Sequence, residues 1–336
     1  MSNVNSKPGS LWKLTRHFNK QRSQIPALKL GDNFLYTEKD KAETLAIKFE
    51  EIHKQNLNMG NRCHVKRVNT LVSEFFSLQY DRFRDAELTT PREIKQILKE
   101  LKPNKSPGND GINNRLLKNI SLKAVIHLTK LINYMFMFGY FPKTWKQANV
   151  IAVHKPGKNP HEVTSYRPIS LLSHLSKVAE RVLVRRIRKF CRTQKIIPDQ
   201  QFGFRHKHST THQLARLVDK VTDGFNKNKH TGLIILDLEK AFDTVWTHGL
   251  LFKLINLNFP TYLTHIINSY LTNRTFQVQM GEHKSNPKNI VAGTPQGAVI
   301  SPLLFNIYIP MISHRTKIPS YRYTQMIQLC YVNHGE

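Results

Sequence analysis

Cysteine is scarce. Cys63, Cys191 and Cys330 are the only three in 336 residues, they lie far apart, and no Cys-x-x-Cys pair exists. That excludes a disulfide framework and a cysteine zinc site, and it fits a reducing, intracellular setting. Long apolar runs are missing too. None approaches the ~20 residues a membrane-spanning helix needs, and Met1-Ser2-Asn3-Val4 opens without the apolar core of a signal peptide. No internal repeat stands out. Acid is short throughout: 23 Asp and Glu face 51 Lys and Arg, for a net charge of +28. It is shortest towards the end. After Asp243 there is no aspartate, and the only acidic side chains beyond it are Glu282 and Glu336.

What is present sets the rest. Hydrophobic residues make up 40% of the chain, enough for a real core and too much for a disordered protein. The basic surface must find counter-charge. Nucleic-acid phosphates fit best, because each neutralised phosphate releases a condensed counterion. An anionic membrane surface is the competing partner, but no basic amphipathic helix favours it.

Periodicity predicts helices over Thr37–His53, from Thr90-Pro91 onward, from about Asn113, over Leu128–Phe138, Lys177–Phe190, Ser209–Phe225, after Trp246, over Thr261–Leu271 and around Leu303–Tyr308. In Ser209–Phe225, Leu214, Leu217, Val218, Val221 and Phe225 form one apolar stripe. Strands are predicted at Ala148–Val153, Gly232–Leu236 and Thr275–Met280. The first of these stretches opens into a basic turn, His154–Pro160, and the second delivers Asp237 to its tip. A carboxylate at the end of a buried strand can hold a divalent metal. It can equally be a turn or helix-capping residue.

Five short motifs follow one another in order. They are Lys105-Ser106-Pro107-Gly108-Asn109-Asp110-Gly111-Ile112, Tyr166-Arg167-Pro168-Ile169-Ser170-Leu171-Leu172 and Gln201-Phe202-Gly203-Phe204-Arg205. Then come Asp237 to Asp243 and Gly293-Thr294-Pro295-Gln296-Gly297, the last running on to Ser301-Pro302. Each alone is weak; the series resembles the reverse transcriptase of non-LTR (LINE-type) retrotransposons, jockey-like in flavour. Gly9 to Arg16 is similar to the linker ahead of the polymerase in that group.

The resemblance implies an α/β (α+β) right-hand polymerase fold with an antiparallel palm sheet. Residues 1–90 would be a basic helical extension, 91–230 the fingers and the start of the palm, and 231–336 the palm, truncated or degenerate at its end and without a thumb. It implies RNA-templated DNA synthesis by two-metal nucleotidyl transfer, with Mg²⁺ as cofactor. The partners would be an RNA template, a DNA primer or target and deoxynucleoside triphosphates, with no membrane. Residence in the nucleus and cytoplasm is expected from the family. Asp237 matches the first metal ligand. Phe242 matches the bulky gate under the sugar, with core packing as the plainer role. Gln296 and Gly297 match the loop that touches the template–nucleotide pair. Lys155 and Arg167 match positions that hold the triphosphate, although each could be a solvated surface charge. Asp243 is expected to play a structural hydrogen-bonding part. His206, His208 and His212 look like a metal cluster but lack a completing Cys or carboxylate.

The pattern then breaks. The family carries two further aspartates in a tight hairpin about twenty residues past the Leu303–Tyr308 helix. Two readings stand. In one, Tyr331-Val332-Asn333-His334 is the altered hairpin, with Asn333 and His334 in the aspartate positions and Ile327, Leu329 and Tyr331 still on a strand. In the other, the frame is lost after about Ile309 and the basic run His314–Ser320 begins unrelated sequence. Either way most metal-dependent catalysis is expected to be lost, since Asn is a neutral ligand and His a poor one for Mg²⁺. A nucleic-acid-binding remnant without catalysis is the alternative. An RNA-dependent RNA polymerase shares the palm, but Phe242 and the Thr294–Gly297 loop argue against it.

Overall fold

Capping residues set most of the helix starts. In this computed structural model, which describes residues 25–54, 62–78, 86–205, 207–238, 240–309, 321–324 and 327–334, helix α1 (Glu38–Ile52) begins at Thr37, whose hydroxyl accepts the Asp40 N–H. Helix α2 (Arg62–Ser77) follows. Thr90 caps α3 (Pro91–Lys99), with Pro91 in its first turn. Asn113 caps α4 (Asn114–Lys118), and Ser121 caps α5 (Leu122–Phe138), which closes on a left-handed Gly139. Ser173 caps α6 (His174–Thr193) and Ser209 caps α7 (Thr210–Asn226). Helices α8 (Thr247–Asn256), α9 (Thr261–Leu271) and α10 (Ser301–Tyr308) complete the set among the described residues.

The strands form three sheets. A small hairpin pairs β1 (Leu28–Leu30) with β2 (Asn33–Leu35). Strand β3 (Gln147–His154) pairs antiparallel with β4 (Tyr166–Leu171) on one side and parallel with β6 (Arg274–Met280) on the other. Short strands β7 (His283–Lys284) and β8 (Lys288–Ile290) extend β6. The third sheet holds β5 (His230–Asp237), β9 (Tyr321–Thr324) and β10 (Ile327–His334) in the order β5-β10-β9, all antiparallel.

Two cores hold these elements. The larger gathers α3, α5, α6, α8, α9 and α10 around residues such as Ile97, Ile132, Val182, Leu254, Ile266 and Leu304. The smaller lies between α1 and the β3–β4–β6 sheet, with Leu45, Phe49, Val150, Phe276 and Val278 inside. Ala298 packs against both, so the loop it belongs to bridges them. The α7 stripe is not part of either core: Leu214, Val218 and Phe225 are 59%, 61% and 70% exposed.

A partly buried ion pair fixes α3 on α6. The Arg186 guanidinium donates to both oxygens of Glu93, at 3.1 and 2.7 Å, and to the Glu87 and Leu88 carbonyls. Burial pushes the Glu93 carboxyl up, but the hydrogen bonds and charge of Arg186, with Thr89, hold it below its ordinary value. The loop 105–111 is pinned to the start of α6 as well. Ser173 donates to Asp110 at 2.5 Å. A Cβ on Gly108 would come within 2.5 Å of the Ser173 nitrogen, so no side chain fits there.

Candidate active site

The loop after α8–α9 and its strands returns to the sheet through glycine. Gly293 has φ +90°, and a Cβ there would meet the Asp243 carbonyl at 2.5 Å. Gly297 has φ +114°, and a Cβ would meet the Ser170 carbonyl at 2.6 Å. Only glycine fits either backbone without a shift. This close approach lets Ser170 of β4 donate its N–H to the Gln296 carbonyl at 3.0 Å, while Thr294 donates to the Phe242 carbonyl at 2.8 Å. The Arg167–Leu172, Asp237–Asp243 and Gly293–Gly297 motifs thereby meet through their main chains.

They enclose a cavity of about 630 Å³. Lys155, Arg167, Phe242, Asp243, Gln296 and Gly297 all line it. Arg167 is exposed on β4. The Lys155 ammonium donates to the Thr164 carbonyl at 2.7 Å, tying the β3–β4 loop, and has donors to spare. Phe242 is half-buried. Its ring lies 4.7 Å from Phe305 and 5.5 Å, edge-on, from Phe204. Core packing and a place in the cavity wall are therefore both true of it.

Asp243 is 3% exposed. Gln296 donates to one of its oxygens at 2.6 Å, and the other oxygen has no hydrogen-bond partner among the described residues. Burial pushes its carboxyl up to about 6, against the partial relief given by Gln296 and Lys240. Asp243 thus sets the amide of Gln296, in keeping with a hydrogen-bonding rather than a ligand role.

Asp237 ends β5, and its Cα partner across the sheet is Ile327. Ile327, Leu329 and Tyr331 do lie on a strand. The register nevertheless corrects the placement expected for Asn333 and His334. Asn333 pairs with Thr231 and His334 with His230, at the opposite end of β5 from Asp237. The separation along the strand is about 20 Å at ~3.3 Å per residue. Pairing of the apolar run 232–236 with 328–332 sets this register. The β9–β10 reversal, between Thr324 and Ile327, is what comes to the Asp237 end. The two residues standing there in the sequence are Gln325 and Met326, which lie outside the described residues.

The family generally uses a divalent metal, and the described residues do not bring together the ligands that a pair of such ions needs. A two-ion site needs several anionic oxygen ligands. Asp237 is one. The paired strand supplies Ile327 opposite it, Asp243 is engaged with Gln296, and the sequence has no later aspartate. Among the described residues no three His, Cys, Asp or Glu groups come together as a metal site. His206 of the histidine cluster lies outside the described residues, and the His208 ring packs on Phe202 at 4.9 Å.

Two supports escaped the sequence reading. Glu180 of α6 is fully buried, and its carboxylate accepts the Val299 N–H at 2.6 Å, the Ile300 N–H at 3.4 Å and the Ser176 hydroxyl at 2.9 Å. It holds the two residues that lead into α10 and so anchors the end of the Gln296–Gly297 loop. Burial raises its pKa despite those bonds and the nearby Arg274. The available signal was an acid on the inward face of an otherwise basic helix, four residues from Ser176. Asn306 is the second support. It accepts from Gln201 at 3.0 Å and donates to the Gly203 carbonyl at 2.8 Å, fastening the Gln201–Arg205 motif to α10.

With the geometry in place, the chain can be set beside known proteins. A family model described as reverse transcriptase (RNA-dependent DNA polymerase) matches residues 153–331, more than half of the chain. The chain belongs to that family, on its non-LTR retrotransposon branch. It is 35% identical over 301 residues to the RNA-directed DNA polymerase from mobile element jockey of Drosophila melanogaster. It is also 32% identical to the probable RNA-directed DNA polymerase from transposon BS and 33% identical to that from transposon X-element, both of the same fly. Each match covers 89% of this chain and 32% of the relative, so the chain spans about a third of their length.

Proposed function

We propose that this chain forms the nucleotide- and template-facing surface of a non-LTR reverse transcriptase and does not itself extend a primer. The observation that carries the first half is the single cavity shared by Lys155, Arg167, Phe242, Gln296 and Gly297 at the end of β5. In this reading β3 and β4 belong to the fingers and β5, β9 and β10 to the palm. Arg167 takes triphosphate oxygens, bidentately where geometry allows. Lys155 adds a point charge. Phe242 stands where a ribose 2′-hydroxyl would collide, which favours deoxynucleotides. Gln296, oriented by Asp243, faces the base pair.

The second half rests on the donor set. With Asp237 alone as an anionic ligand, the +4 charge of two divalent ions is not balanced, and no in-line transfer is assigned to this chain. Binding of nucleic acid in the nucleus or cytoplasm then remains as its activity. Titration with a deoxynucleoside triphosphate and the matching ribonucleotide tests the cavity. The deoxy form is expected to bind the native chain more tightly. Arg167→Ala is expected to weaken it about tenfold, the loss of a charge-assisted bond. Equal affinity in the native and Arg167→Ala chains would remove the cavity from the account.

A further inference from the structure

Arg274 opens β6 and is among the largest wholly buried side chains, 1% exposed. An arginine keeps its charge in any protein interior. Buried, it needs a counter-charge or a full set of acceptors. Its Nη1 donates to the Tyr270 carbonyl at 2.9 Å, and the guanidinium lies over the Tyr270 ring, 4.7 Å from the centroid. Its Nε and Nη2 are buried without an acceptor among the described residues. A second buried cation makes matters worse. The Lys146 ammonium donates to the Thr272 carbonyl at 3.3 Å, and burial together with the Arg274 charge holds it below its ordinary value. For packing alone, an apolar side chain of similar size would cost less.

Two carboxylates are buried among the described residues, Asp243 and Glu180. Both grip one loop. Asp243 takes the Gln296 amide, and Glu180 takes the Val299 and Ile300 N–H groups. The Ser301 hydroxyl closes that loop by donating to the Pro295 carbonyl at 2.9 Å. Glu180 is the carboxylate that feels the Arg274 charge. Burial disfavours its ionised form, yet the ionised form makes the stronger bonds to main-chain N–H groups. Lys177 on the same helix also faces Glu180, but burial works against its own charge.

From this we infer that Arg274 is a positioning residue: its charge steadies the Glu180 carboxylate and, through it, holds the loop 295–301 where Gln296 and Gly297 meet β4. That Gln296 then faces a base pair rests on the proposed function; the hold on the loop does not.

Hydrogen–deuterium exchange at single amides of the full chain tests the link. Val299 and Ile300 report on the loop, and Ile132, in the core on α5, reports on general loosening. In Arg274→Met both loop amides are expected to exchange about tenfold faster, the loss of a charge-assisted bond, with Ile132 unchanged. Arg274→Lys keeps the charge and should keep most of the protection. Glu180→Gln should expose the same two amides, and adding Arg274→Met to it should do little more, because the charge that Arg274 supports is already gone. A deoxynucleoside triphosphate titrated into the same chains reads the consequence at the cavity, with several-fold weaker binding to Arg274→Met than to Arg274→Lys. Native protection of Val299 and Ile300 in Arg274→Met would overturn the inference. So would equal loss in Arg274→Lys, or full additivity with Glu180→Gln. Ile132 exchanging faster to the same degree would assign Arg274 to packing and overturn it as well. The expected exchange pattern with triphosphate affinity unchanged or absent would count against Gln296 as a base-pair contact and still support the hold on the loop.

Discussion

Asp243 and Gln296 show how single residues shape the cavity. The Asp243 carboxyl, ordinarily near 3.8, is raised to about 6 by burial. A raised folded-state pKa means the protonated form favours the fold. Its contribution is fully present below about 3.8 and is lost as pH rises through about 6. Asp243→Asn removes that titration and keeps an acceptor for Gln296. Denaturant unfolding of both chains at pH 4 and pH 7 is therefore expected to show the native chain losing stability relative to Asp243→Asn. The difference should be on the order of 3 kcal/mol for a shift of about two units. An identical pH dependence would contradict the burial account. Gly297→Ala is a second test at this scale. A Cβ 2.6 Å from the Ser170 carbonyl at φ +114° is expected to cost about 1–3 kcal/mol, measured as a lower Tm. The side chains that line the cavity could be picked out one by one, because Phe242, Gln296 and Arg167 sit in recognisable strings. The Gln296–Asp243 bond was not, since its partners lie 53 positions apart.

At the scale of elements, α6 carries more of the structure than its basic sequence suggests. One face fastens α3 through Arg186 and Glu93, and another holds the lead into α10 through Glu180. Arg186→Ala leaves the Glu93 carboxylate partly buried without its main partner, and a loss of about 3 kcal/mol is expected in chemical denaturation. A change under 1 kcal/mol would place that pair among ordinary surface bridges. Helix starts were readable because Thr37, Thr90, Asn113 and Ser209 announce themselves locally. The helix Thr261–Leu271 has the bounds its periodicity predicts. Strand β4 was read as a motif rather than a strand, since Pro168 interrupts its pattern. The parallel pairing of β3 with β6 joins segments more than a hundred residues apart, and nothing local encodes it. The β10 register was misplaced for a related reason. Counting residues from α10 locates a hairpin only coarsely, whereas apolar pairing with β5 fixes it.

For the whole molecule, composition pointed to the partner and missing residues pointed to the limit. A net charge of +28 makes phosphate the natural counter-charge, and the cavity lined by Lys155 and Arg167 is the place proposed for it. The wall that holds Arg167, Phe242, Gln296 and Gly297, proposed above to face the nucleotide, is assembled and supported by buried bonds. At the end of β5 the expected ligand is Asp237, and after Asp243 the sequence carries no aspartate. The central claim is that binding geometry persists here without the ligands catalysis needs. A primer-extension assay on an RNA template, with Mg²⁺ and separately with Mn²⁺, tests it most directly. No extension above background in either metal is the expected result. Robust extension that disappears in Asp237→Ala would contradict it.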